Sequence, residues 1–156
     1  MNLISSLLTP SHVALDVEAT TKKAVFERVG DMLAGDQGLS RGQVLDSLVA
    51  RERLGSTGLG QGIAIPHGRV KGLREAVGAF LRLRAPLAFE APDGRPVSLI
   101  FVLLVPERAT DMHLQILSEL AQMFSDRDFR TQLAQAPDAL AAQRLIVGWQ
   151  AHAPNK

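Results

Sequence analysis

The chain of 156 residues contains no cysteine and no tyrosine. Without thiols there is no disulfide, no thiolate zinc site and no thiol nucleophile, so chemistry falls to histidine, hydroxyl and carboxylate groups. A long apolar stretch is also missing. The longest run, Leu99 to Val105, is far short of the roughly 20 residues that a spanning helix needs, and stable membrane insertion is not expected. Neither sign of charge dominates: 17 Lys and Arg oppose 16 Asp and Glu, a net charge of +1, with basic residues scattered among acidic ones. That balance argues against a nucleic-acid partner. The opening MNLISSLLTPSH has neither the positive n-region nor the small-residue cleavage site of a secretory signal, so a cytoplasmic protein is expected.

Hydrophobic residues make up 46% of the chain, and its length suits one ordinary domain with a sizeable core. A single domain over 1–156 is expected, with a core over about 3–148 and a frayed polar tail from Ala151. After an apolar piece from Leu3 to Leu8, His12 to Val17 alternates as an edge strand would. Thr20 or Thr21 caps a helix with the stripe Val25, Val29, Met32 and Leu33, closed by Gly35 to Gly38. Ser40 and Gln43 form a capping box for a second helix, with Val44, Leu45, Leu48 and Val49 on one face. Arg51, Glu52 and Arg53 lie on its last turn, where basic groups suit the negative end of the helix dipole.

Four glycines from Gly55 to Gly62 predict a break in regular structure before a brief strand, Ile63 to Ile65. Ala76 to Leu83 reads as a strand, Pro92 to Pro96 as a turn, and VSLIFVLLV (Val97 to Val105) as a central strand covered on both faces. Met112, Ile116, Leu120, Met123 and Phe124 recur at helical spacing behind a cap at Thr110 or Asp111. A helix over about Asp128 to Gln135 follows, then one started by Pro137 at its first position, through Leu140, Leu145 and Ile146. Helices before, between and after strands imply an α/β domain with a mixed sheet flanked by helices on both sides.

Among the four histidines, His67 stands out because Pro66 and Gly68 enclose it in the run GSTGLGQGIAIPHGR. Proline restricts the backbone on one side, and glycine permits close approach or a positive φ on the other. Imidazole is mostly neutral at cellular pH, with a lone pair ready for nucleophilic attack or metal binding. His12 and His152 read as boundary or surface residues. His113 falls in the first turn of its helix, where unpaired N–H groups favour an anion and a neutral imidazole; a core histidine on an apolar face is the other reading.

Two isolated histidines without HExxH or a carboxylate cluster do not have metal-site spacing, and no metal is expected. Ser56 lacks a nucleophile-elbow pattern, and the glycines do not end in the Gly-Lys-Ser/Thr of a phosphate loop, so no nucleotide cofactor is expected either. What remains is a nucleophilic histidine, an upstream cation in Arg51 and a second histidine at a helix start. Those are the parts that phosphoryl transfer uses.

RERLGSTGLGQGIAIPHGR (Arg51 to Arg69), PLAFEAPDGRPVSLIFVLLVPE (Pro86 to Glu107) and DMHLQILSELA (Asp111 to Ala121) resemble the IIA proteins of the phosphoenolpyruvate-dependent phosphotransferase system. The similarity is to the mannitol and fructose class, nearest to its nitrogen-regulatory branch, and covers about Leu3 to Val147. It implies the mannitol-type IIA fold, with His67 accepting a phosphoryl group on Nε2 from a small HPr-like carrier, and with Arg51 and His113 flanking that group. GSTGLGQG, DGRPV and the expectation of a stand-alone domain, without fused IIB or membrane domains, carry the nitrogen-regulatory likeness. That branch implies a regulator whose phosphorylation state selects partners, including potassium transporters and sensor kinases. A transport role, passing phosphate to a separate fructose- or mannitol-type IIB, is the alternative, and a docking module that never carries phosphate is a third reading.

Overall fold

The structure is a computed structural model that describes residues 3–108 and 111–150, with only the backbone of Met112. Its spine is strand β6 (Val97–Pro106). Every side chain from Leu99 to Leu104 is buried, because both faces of the strand are covered. Ile100, Val102 and Leu104 join one apolar cluster, and Leu99, Phe101, Leu103 and Val105 join the other. A strand with solvent on one face would alternate with polar residues; here the continuous aliphatic run follows from double coverage.

β5 (Val77–Leu87) runs antiparallel to β6, and β1 (Val13–Val17) lies parallel to β5 at the sheet edge, as its alternation predicts. On the other side of β6, β3 (Ile63–Ala64) and β4 (His67–Val70) both run parallel to it, and β2 (Gly58–Gly60) is antiparallel to β3. The sheet is therefore mixed, in the order β1-β5-β6-β3-β2 with β4 beside the far end of β6. Helices α1 (Lys22–Leu33) and α2 (Arg41–Glu52) supply the first cluster. Helices α3 (Asp111–Ser125), α4 (Arg127–Gln135) and α5 (Ala139–Gly148), with Ile4, Leu7 and Leu8, supply the second.

The caps expected for α1 and α2 form. Thr21 Oγ1 accepts from the Ala24 N–H at 3.0 Å, and Ser40 and Gln43 make both bonds of the capping box. A side-chain cap of this kind contributes about 1 kcal/mol. Thr110, the tail from Ala151 and His152 lie outside the described residues.

Several expectations need correction. The glycine segment does not only break structure: Gly58 to Gly60 is a strand, joined to β3 by Gln61 and Gly62, both at positive φ (59° and 80°). A tight hairpin turn requires that conformation, so the glycines build a hairpin. The strand expected to end at Leu83 continues to Leu87. Pro137 precedes the true cap, Asp138, whose carboxylate accepts from the Ala141 N–H at 2.8 Å; the side-chain acceptor, not the proline, sets the start of α5. His12 is no surface group. It closes a short 3-10 turn (Pro10–His12) ahead of β1, is only 9% exposed, and its Nε2 lies 3.5 Å from Asp36 Oδ2.

Candidate phosphoryl-transfer site

Ile63 and Ala64 pair with Leu99 and Ile100, and His67 and Gly68 pair with Leu103 and Leu104. The offset is the same throughout, so β3 and β4 form one line interrupted at Ile65 and Pro66. Proline has no N–H to donate to the ladder, although the Pro66 carbonyl still accepts from the Leu103 N–H at 3.0 Å. His67 thus opens a strand; it does not sit on a loop.

The break frees the Ile65 carbonyl to meet His67 Nδ1 at 3.0 Å. A carbonyl only accepts, so Nδ1 carries the ring proton and Nε2 keeps its lone pair. Arg51 Nε donates toward that Nε2 at 3.4 Å, and Arg51 Nη1 donates to the Gly55 carbonyl at 3.0 Å. The ring is therefore a neutral Nδ1–H tautomer with Nε2 facing a cation.

Close packing of α2 on β4 brings Arg51 there. A β-carbon on Gly68 would overlap Ser47 Oγ and approach the Ser47 carbonyl oxygen to 3.2 Å, and Ser47 Oγ donates to the Arg69 carbonyl at 2.9 Å. Gly68 is required for this close approach. The positive φ that glycine also permits is not used, because β4 is ordinary strand at this residue.

His67, Arg51 and His113 converge on one cleft of about 610 Å³ between α2, β4 and α3, with Leu103, Asp111 and Leu117 also in its wall. A smaller cleft of about 240 Å³ shares Arg51, His67 and Leu117, so His67 stands on the ridge between two depressions. Half-buried His113 is a wall residue of the cleft, not a sealed core histidine. Around these clefts, Leu54, Leu59 and Leu114 are exposed by 84%, 49% and 66%. Large apolar groups clustered on a surface mark a place where other molecules dock.

Ser56 is not a nucleophile candidate, since its hydroxyl donates to the Phe89 carbonyl and accepts from the Gly58 N–H. Among the described residues no three His, Asp or Glu side chains gather as a metal site requires, and no helix is long and apolar enough to cross a membrane. Sequence reasoning missed the roles of Ser47, Glu52 and Thr57. Ser47 lies one helical turn before Arg51, a spacing that was visible; the Glu52–Thr57 contact depends on how the glycine hairpin folds back.

The family model described as "Phosphoenolpyruvate-dependent sugar phosphotransferase system, EIIA 2" matches residues 6–147. The chain belongs to this EIIA 2 family. Within it, the chain is 43% identical to the nitrogen regulatory protein of Pseudomonas aeruginosa over 148 residues, 94% of this chain and 96% of that relative. The crystal structure of nitrogen regulatory protein IIA-Ntr from Neisseria meningitidis matches with a TM-score of 0.89 at 50% identity, covering 93% of this chain and 99% of that one. This EIIA 2 domain thus falls in the nitrogen regulatory IIA-Ntr branch. Mannitol IIA from Escherichia coli shares the fold at 21% identity, with a TM-score of 0.75 over 89% of this chain and 98% of that one.

Proposed function

We propose that this chain is a cytoplasmic phosphocarrier of the nitrogen-branch phosphotransferase system. His67 Nε2 accepts a phosphoryl group from the phosphohistidine of a small HPr-like carrier, and the phosphorylation state selects the proteins it binds. The single observation that carries this reading is the tautomer: Nδ1–H is tied to the Ile65 carbonyl while Nε2 faces Arg51 in an open cleft.

In the transfer, the lone pair of Nε2 attacks phosphorus in line. The new N–P bond forms as the donor's N–P bond breaks, and the donor imidazole leaves with that electron pair. No water is consumed, and the proton stays on Nδ1, which donates it to the Ile65 carbonyl. Arg51 offsets the phosphoryl charge of about −1.5 to −2, a role suited to a preorganised cation beside the reacting nitrogen. His113, at the first turn of α3, donates to the phosphoryl oxygens or orients the ring.

Leu54, Leu59 and Leu114 offer the donor an apolar docking surface around the reacting ring. A dianion placed in the middle of such a surface changes its hydration and its charge complementarity, so a partner can distinguish the two forms. Potassium transporters and sensor kinases are the partner classes that the nitrogen-regulatory likeness suggests. Incubation with phosphoenolpyruvate and the upstream carriers tests the reading: an acid-labile, base-stable adduct is expected on wild type and none on His67→Ala. Rapid discharge of that adduct to a fructose- or mannitol-type IIB would instead support the transport role.

A further inference from the structure

Arg51 and Glu52 are neighbours on the last turn of α2, yet the carboxylate does not pair with the guanidinium. Glu52 is committed elsewhere. Its Oε1 accepts from Thr57 Oγ1 at 2.7 Å, both oxygens face the Thr57 N–H at 3.3 Å, and Oε2 meets Lys22 Nζ at 2.8 Å. A carboxylate offers about four lone-pair sites, so these donors saturate it. The Glu52 side chain is only 8% exposed, and Thr57 is buried. Lys22 is itself fixed, lying 5.0 Å from the centre of the Phe89 ring and bridging to Glu90 at 3.1 Å. Burial opposes its charge, but hydrogen bonds and attraction from Glu52 and Glu90 prevail and raise its pKa, keeping it cationic.

The arrangement has two consequences for Arg51. First, Lys22 and Thr57 occupy the carboxylate adjacent in sequence, and no other carboxylate pairs with Arg51 among the described residues. Its positive charge stays available to an incoming anion. Second, the Glu52–Thr57 bonds close the segment between them into a short loop, and within that loop the Gly55 carbonyl accepts from Arg51 Nη1. With Nη1 held at that carbonyl, Nε is left aimed at His67 Nε2.

We infer that Glu52, clamped by Thr57 and neutralised by Lys22, is a positioning residue for phosphoryl transfer: it shapes the loop whose Gly55 carbonyl aims Arg51 at the reacting nitrogen of His67. Its action runs through Arg51 and does not require contact with the phosphoryl group. The kinetic side of this inference rests on the phosphocarrier reading above. Small misplacements of a catalytic group cost rate steeply, so loosening the loop slows transfer even when the fold persists.

The test uses the full chain and its phosphorylated HPr-like donor, with single-turnover rates at saturating donor. Glu52→Ala and Thr57→Val are each expected to slow transfer about tenfold or more, with donor affinity little changed. Thr57→Ser, which keeps the hydroxyl, restores the rate. In an Arg51→Ala background both effects disappear, because residues that act through one group are not additive. Equal slowing with Arg51 present or absent would overturn the inference, as would a folded Thr57→Val protein transferring at the wild-type rate. If Glu52→Ala does not fold, the nearly isosteric Thr57→Val carries the test alone. A second measurement needs no phosphate: the Arg51 Nε–H proton signal should exchange slowly in wild type and faster in Thr57→Val, and an unchanged signal contradicts positioning. A wild-type protein that takes no label, yet shows this exchange difference, overturns the phosphocarrier reading and leaves the clamp standing.

Discussion

Gly68 on β4 and Ser47 on α2 are packed so closely that a β-carbon on Gly68 would overlap the Ser47 hydroxyl oxygen. The same hydroxyl donates to the Arg69 carbonyl at 2.9 Å, so the contact is a docking point between helix and strand. One turn beyond Ser47, Arg51 reaches His67. The glycine after His67 therefore controls how near the Arg51 guanidinium comes to that ring.

Gly68→Ala is accordingly expected to destabilise the fold by about 1–3 kcal/mol, the usual range for overpacking, and to slow phosphoryl transfer. Ser47→Ala in the same chain removes the overlapping oxygen and recovers part of both losses. Urea denaturation of the two single variants and the double variant checks this; strictly additive losses would contradict the contact.

Lys22 predicts an alkaline dependence of stability. Burial works against its charge, but Glu52 and Glu90 outweigh that and lift its pKa above the ordinary 10.5. A raised pKa in the folded state means that the contribution is complete below about pH 10.4 and fades as pH rises through the folded value. Urea midpoints of wild type should fall across that window, and Lys22→Met should lose most of the dependence. Parallel curves for the two proteins would contradict the assignment.

Asp93 predicts the opposite sign at acid pH. N–H groups of Gln61 and Arg95 donate to its carboxylate at 2.9 and 3.0 Å and hold its pKa below the usual carboxylate range. Stabilisation from these bonds is present above about pH 3.9 and is lost as pH falls through the folded value. The measurable consequence is local: Asp93→Ala should speed hydrogen exchange at the Gln61 amide, in the turn between β2 and β3. Unchanged protection there would show that the Asp93 side chain does not hold the β2–β3 turn.

His113→Ala should slow transfer by about 10²-fold, the scale for removing one preorganised donor, while the label stays on His67. Arg51→Ala should cost at least as much. Peptide mapping after partial labelling separates rate from position. A label that moves to another residue in His113→Ala would contradict its supporting role.

Much of this architecture is legible in the sequence because local rules agree with the tertiary outcome. The Ser40–Gln43 box, the Thr21 cap and the unbroken VSLIFVLLV run each imply one structure, and each forms it. His67 stands out by its Pro–Gly frame, whereas Arg51 at its helix end reads locally as a charge suited to the dipole, and only the family resemblance sets it beside His67. The glycine segment was not legible: glycine permits a turn without specifying which, and the β2–β3 hairpin depends on pairing across residues that propensity does not describe. His12 lies at the boundary of β1 as expected, but its burial is hidden for a similar reason. Its burial comes from tertiary packing beside Asp36, and a single histidine in a polar-looking stretch gives no local sign of that. Glu52 looked like an ordinary charge of a helix end, and only the fold-back of Thr57 shows what it holds.

The proposed phosphoryl group sits on one nitrogen of one ring. Phosphorylate the ¹⁵N-histidine-labelled chain with phosphoenolpyruvate and its upstream carriers, then record long-range ¹H–¹⁵N correlations with ³¹P coupling. Phosphorus coupled to Nε2 of His67 is expected, with Nδ1 still protonated against the Ile65 carbonyl. Coupling at Nδ1, coupling on another histidine, or no phosphohistidine at all would contradict it.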